Sequence, residues 1–76
     1  MNFFYVMNGE LENELVDLCH RFFDPPYIDK SPDKIIAFFD RLIQENKKVS
    51  ITNDIRYFIP QLASYGNGKM ASMLDP

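Results

Sequence analysis

Cys19 and His20 are the only thiol and the only imidazole in the chain, and they are neighbours. A nucleophile–base dyad needs both groups within hydrogen-bond reach, whereas adjacent side chains on a helix diverge by roughly 100° around its axis. The pair is therefore no dyad. Cys19 falls on an apolar flank and is expected as a small buried hydrophobe, with His20 at the surface or rim. No Cys, His, Asp or Glu residues are grouped at a metal-ligand spacing, and Asp33, Asp40 and Asp54 form no carboxylate pair. No catalytic residue, metal or cofactor is expected, and recognition is the chemistry that remains.

Two sets of residues could recognise something. Glu10, Glu14, Asp17 and Arg21 recur at helical spacing on the side opposite an apolar stripe, with Phe23 and Tyr27 following them. The net charge is −3, but residues 1–29 carry six acids against Arg21 alone, while residues 30–76 carry seven cations against five acids. An acidic first half suits a basic protein surface. The second set, Lys48, Asn53 and Arg56, would read duplex DNA if residues 32–65 made a helix-turn-helix. The acidic balance of the whole chain opposes that alternative.

Asp24-Pro25-Pro26-Tyr27 resembles the Asp-Pro-Pro-Tyr motif of amino-group methyltransferases, in which the acid and a backbone carbonyl hold the target amine and the ring stacks on a flipped base. The resemblance covers four residues. It implies a parallel sheet and a Gly-rich turn for S-adenosylmethionine, for which a chain of 76 residues with three glycines has no room. The residues themselves read as a rigid loop, since two prolines stop one helix and Tyr27 is expected to pack over the junction.

The elements that must position these groups are helical. Leu11, Leu15, Leu18 and Phe22 fall at i, i+4, i+7 and i+11, flanked by Val16, Cys19 and Phe23, after a cap expected at Asn8. Ser31-Pro32-Asp33 supplies a cap, a proline at the first helical position and an acid in the first turn. Ile35, Phe38, Phe39, Leu42 and Ile43 then form a buried stripe with Ile36 at its margin, ending at Asn46-Lys47-Lys48. Thr52 or Asn53 caps a third helix that buries Ile55, Phe58, Ile59 and Leu62, and Pro60 must kink or divide it. Gly66-Asn67-Gly68 stops it. The reading is a mostly α, single small domain over 1–76, a bundle of three main helices at about 9–23, 32–47 and 53–65. Residues 2–7 form an apolar strap, or a short strand paired with 49–52.

Four aromatic doublets, Phe3-Phe4, Phe22-Phe23, Phe38-Phe39 and Tyr57-Phe58, exceed what one small core can enclose. With one cysteine, no apolar run near 18 residues and no charged n-region before an apolar stretch, the chain reads as a cytoplasmic protein that does not enter membranes. The expected function is a non-catalytic, acidic protein-binding module: an inhibitor, immunity or regulatory protein covering a basic partner surface. The alternatives are a dimeric DNA-binding regulator and a homo-oligomeric structural subunit.

Overall fold

The first helical hydrogen bond joins Asn13 N–H to Gly9 C=O at 2.8 Å, so α1 runs Glu10–Phe23. The computed structural model describes residues 9–65 and 68–75. The expected cap at Asn8 lies outside them; Gly9 itself occupies the cap position, at φ 93 in the left-handed region that suits a residue without Cβ. Next come α2 (Asp33–Glu45), β1 (Val49–Ser50), α3 (Asn53–Tyr65), α4 (Gly68–Ser72) and β2 (Leu74–Asp75). The protein is mostly helical.

The helices run up, down and up. Glu14 on α1 meets Arg41 on α2, and seven residues further along α1, Arg21 shares Asp29 with Lys34, seven residues earlier on α2. That register makes α1 and α2 antiparallel, as a short connection between amphipathic helices requires. Ser50, just before α3, contacts Glu12 near the start of α1, while Tyr65, the last residue of α3, packs on Phe22 and Phe23 at its end. Hence α3 runs the same way as α1. α1 is the shared element: it packs against α2, α3 and β1.

The core gathers Leu15 and Cys19 from α1, Ile35, Phe38, Phe39 and Leu42 from α2, Val49 from β1, Ile55, Phe58 and Leu62 from α3, and Met70 from α4. Ile43, expected in the buried stripe, is exposed. The positions i, i+3, i+4 and i+7 from Ile35 already fill the buried face, which leaves Ile43 beyond its edge beside Ile36. Pro60 neither ends nor divides α3, which is continuous through it. Its missing N–H leaves the Arg56 carbonyl without an intrahelical donor, and both residues are exposed, so solvent can satisfy that group. Thr52 is the cap of this helix, its Oγ1 accepting from Ile55 N–H at 3.2 Å.

The expected pairing with residues 2–7 lies outside the described residues. Among those described, β1 pairs in parallel with β2, Val49 opposite Leu74 and Ser50 opposite Asp75. The Ser50 N–H on the other edge donates to the Glu12 carboxylate at 2.7 Å, so a helix side chain closes an edge that another strand would otherwise extend.

α2 ends in a Schellman turn. Asn46 takes φ 54 and ψ 47, its N–H donates to Ile43 C=O at 3.2 Å, and Lys47 N–H donates to Leu42 C=O at 2.9 Å. Asparagine tolerates this conformation and a β-branched residue does not. Asn46→Val should therefore cost about 1–2 kcal/mol in urea unfolding, and Asn46→Gly should cost nothing measurable. Equal loss in both would show that the asparagine side chain, not the backbone conformation, matters.

Candidate surface for protein recognition

On α1, the structure separates charges that bind within the molecule from charges that do not. Glu12 is taken by Ser50, and Glu14 accepts from Arg41 Nη2 at 2.7 Å. Arg41 also lies over the Phe38 ring, 5.3 Å from its centroid. Arg21 reaches Asp29 through Nη2 at 3.3 Å and Nε at 3.4 Å, and His20 Nδ1 donates to Asp24 at 2.7 Å. Glu10 and Asp17 are exposed and make no ion pair among the described residues. They stand two turns apart on the same polar side of the helix as Glu14 and Arg21. Of the four polar residues expected to meet a partner, Glu14 and Arg21 thus serve the α1–α2 contact, and Glu10 and Asp17 are free to meet one.

Glu14, Leu18, Lys34, Ala37, Phe38 and Arg41 line a shallow groove of about 350 Å³ between α1 and α2. Its cations are already matched by Glu14 and Asp29. The Asp29 carboxyl sits below its ordinary 3.8 because Arg21 donates to it, with the charges of Arg21 and Lys34 adding to that effect against an opposing contribution from burial. Arg21 and Lys34 therefore face an ionised carboxylate well into the acid range.

At the far end of α1, rings accumulate. Phe23 stacks near Phe58 at 6.1 Å and leans on Tyr65 at 5.9 Å, while Phe22 meets Tyr65 edge-on at 5.3 Å. His20 meets Phe58 edge-on at 4.9 Å. Phe23, expected to touch a partner, is half-buried in these contacts. The outermost rings are Tyr57 and Tyr65, 66% and 50% exposed. They were legible in the sequence only as part of a helical pattern, because nothing in the spacing says which flank of α3 lies against α1.

The Asp24–Tyr27 loop is a tight turn, with Tyr27 N–H donating to Asp24 C=O at 2.8 Å and the Pro25–Pro26 peptide cis. Tyr27 does not pack over the junction as expected. It is 50% exposed at φ 56, and Ile28 beside it is 55% exposed. The Asp24 carboxylate binds His20, and the only sheet among the described residues is the two-residue β1–β2 pair, so the methyltransferase-like tetrapeptide serves here as a turn.

Lys48, Asn53 and Arg56 are exposed around the start of α3. A helix-turn-helix needs its two helices packed together across a short turn. Here α2 and α3 each pack mainly on α1, with the β1 segment between them. The geometry gives those three residues no recognition-helix frame.

Cys19 is 1% exposed. Burial, aided by the Asp24 charge, pushes its thiol from 9.0 up to about 12. No group of three His, Cys, Asp or Glu residues among those described is placed to hold a metal ion, and no described helix is long and apolar enough to cross a membrane. Comparison with protein families, with curated proteins and with solved structures found no match.

Proposed function

We propose that this chain is a non-catalytic protein-binding module of the cytoplasm, an inhibitor, immunity or regulatory protein that covers a basic surface of its partner. One observation carries the reading: among the described residues, every charged side chain of α1 has a partner except Glu10 and Asp17, which lie on its exposed polar side. Charges left uncommitted along one face steer encounter and orient docking, while aromatic groups such as Tyr27 at the end of the same helix supply the area that holds a complex together. The lone reduced thiol fits a reducing compartment.

The test uses a partner recovered by photocross-linking from position 17. Joint reversal, Glu10→Lys with Asp17→Lys, should slow association roughly tenfold at low salt and flatten its dependence on ionic strength. Both positions are exposed and make no ion pair among the described residues, so the fold should persist at a cost below about 1 kcal/mol, which Glu10→Lys incurs by placing a cation in the first turn of α1. Unchanged association kinetics in the double variant would remove the proposal.

A further inference from the structure

Pro25, Pro26, Tyr27 and Ile28 are four consecutive residues with large apolar surface, and all four are exposed. Ordinary surfaces avoid such runs, which are design errors unless another surface covers them. This chain has a nearby place to put the rings, since Phe22, Phe23 and Tyr65 pack together at the same end of α1. The Tyr27 ring takes no part in those contacts.

The loop is nevertheless held at both ends. Tyr27 N–H closes the turn onto Asp24 C=O at 2.8 Å. Two residues on, Asp29 N–H donates to Arg21 C=O at 2.9 Å. The Asp29 side chain, 10% exposed, is gripped by Arg21 at 3.3 Å and Lys34 at 3.4 Å. Between these fixed points Tyr27 sits in the left-handed region at φ 56, a conformation that bulky residues rarely adopt and that glycine would take more readily. A loop with only a connecting role would place glycine there, or fold the ring inward. Fixing the backbone that carries an exposed aromatic reduces the ordering cost of binding.

We infer that Pro25–Ile28 is a preorganised anchor, and that its partner is a protein with an apolar pocket that takes the Tyr27 ring and Ile28, the same protein whose basic surface meets Glu10 and Asp17 further along α1. The inference rests on the protein-binding reading above and adds to it the contact that holds the complex. Tyrosine suits this role, since it offers a large rigid ring with few rotatable bonds and a hydroxyl that can remain hydrated at the pocket mouth.

The test places the photocross-linker p-benzoylphenylalanine at position 27, 17 or 44 of the full chain, in the cells that produce it. Gln44 is exposed near the other end of α2 and serves as the control. The expected result is one protein adduct, the same at 27 and 17, and none at 44. An adduct at 17 without one at 27 overturns the anchor and leaves the acidic-face reading standing. An adduct at 27 alone supports the anchor and removes the acidic face. No adduct at either position, or the same adduct at all three, overturns both. With the purified partner, Tyr27→Gly combined with Ile28→Ser should weaken binding at least 100-fold with no loss of thermal stability; wild-type affinity in that variant overturns the anchor. In the free protein, the amides of Tyr27, Ile28 and Asp29 should show ¹⁵N heteronuclear NOE values equal to those of α1, and a mobile loop also overturns it.

Discussion

Phe58→Ala should bring the chain to the middle of its unfolding transition at 25 °C, with about half of the molecules unfolded. Phe58 is 1% exposed, meets His20 at 4.9 Å and Tyr57 at 5.0 Å edge-on, and has Phe23 stacked at 6.1 Å, so one ring joins α3 to the end of α1. Truncating a buried phenylalanine removes its transfer free energy and leaves a cavity, a cost of about 3–5 kcal/mol. Net stability below about 80 residues is only ~3–5 kcal/mol without staples, and Cys19 is the only cysteine, so no intramolecular disulfide adds to it. The two quantities are of equal size. Circular dichroism at 222 nm should lose about half of its helical signal in this variant, while Tyr57→Ala, which removes the exposed neighbour on the same helix, should keep it. A cooperative thermal transition in Phe58→Ala close to that of the parent would show that the α1–α3 contact is not what holds the fold.

The dependence on Phe58 was partly readable in the sequence, because Ile55, Phe58 and Leu62 have the spacing of one helical face. Ser31-Pro32-Asp33 marks the start of α2 one residue early: Pro32, expected as the first helical residue, holds the cap position without a side-chain cap bond, and Asp33 opens the helix. What periodicity cannot give is the azimuth of one helix against another. Glu14 and Asp17 look equivalent in the sequence, yet the antiparallel register brings Arg41 to Glu14 and no charged partner among the described residues to Asp17. The clamp of Arg21 and Lys34 on Asp29 depends on the same register, so a loop that looked like a simple helix stop proves to be fixed from both sides. The β1–β2 pairing was missed for a related reason. Two residues on each strand carry too little pattern to identify partners 25 positions apart. Tyr27 misled for a local reason: the sequence does not show that its backbone takes a positive φ, and the residue is 50% exposed where packing over the junction was expected.

Cys19 should be almost inert to a thiol reagent such as DTNB in the native protein at pH 8, and fully reactive in urea. Only the unfolded fraction would present the thiol, because the side chain is 1% exposed and packs within the shared core of all three long helices. For a net stability of ~3–5 kcal/mol that fraction is roughly 10⁻² to 10⁻⁴, so native labelling should be slower by the same factor. The thiol also sets an alkaline limit. Its pKa rises from 9.0 to about 12 in the folded chain, chiefly through desolvation and secondarily through the charge of Asp24. Above pH 9 the unfolded chain loses this proton while the folded chain keeps it, so stability falls as pH rises from 9 towards 12. The loss is bounded by about 4 kcal/mol at the top of that window, at 1.36 kcal/mol per unit, which is again the size of the whole net stability. Urea midpoints taken between pH 8 and 11 should therefore decline steeply in the parent and much less in Cys19→Ala. Parallel declines in the two proteins would place the alkaline limit elsewhere, and rapid native labelling at pH 8 would mean that the α1–α3 interface opens without global unfolding.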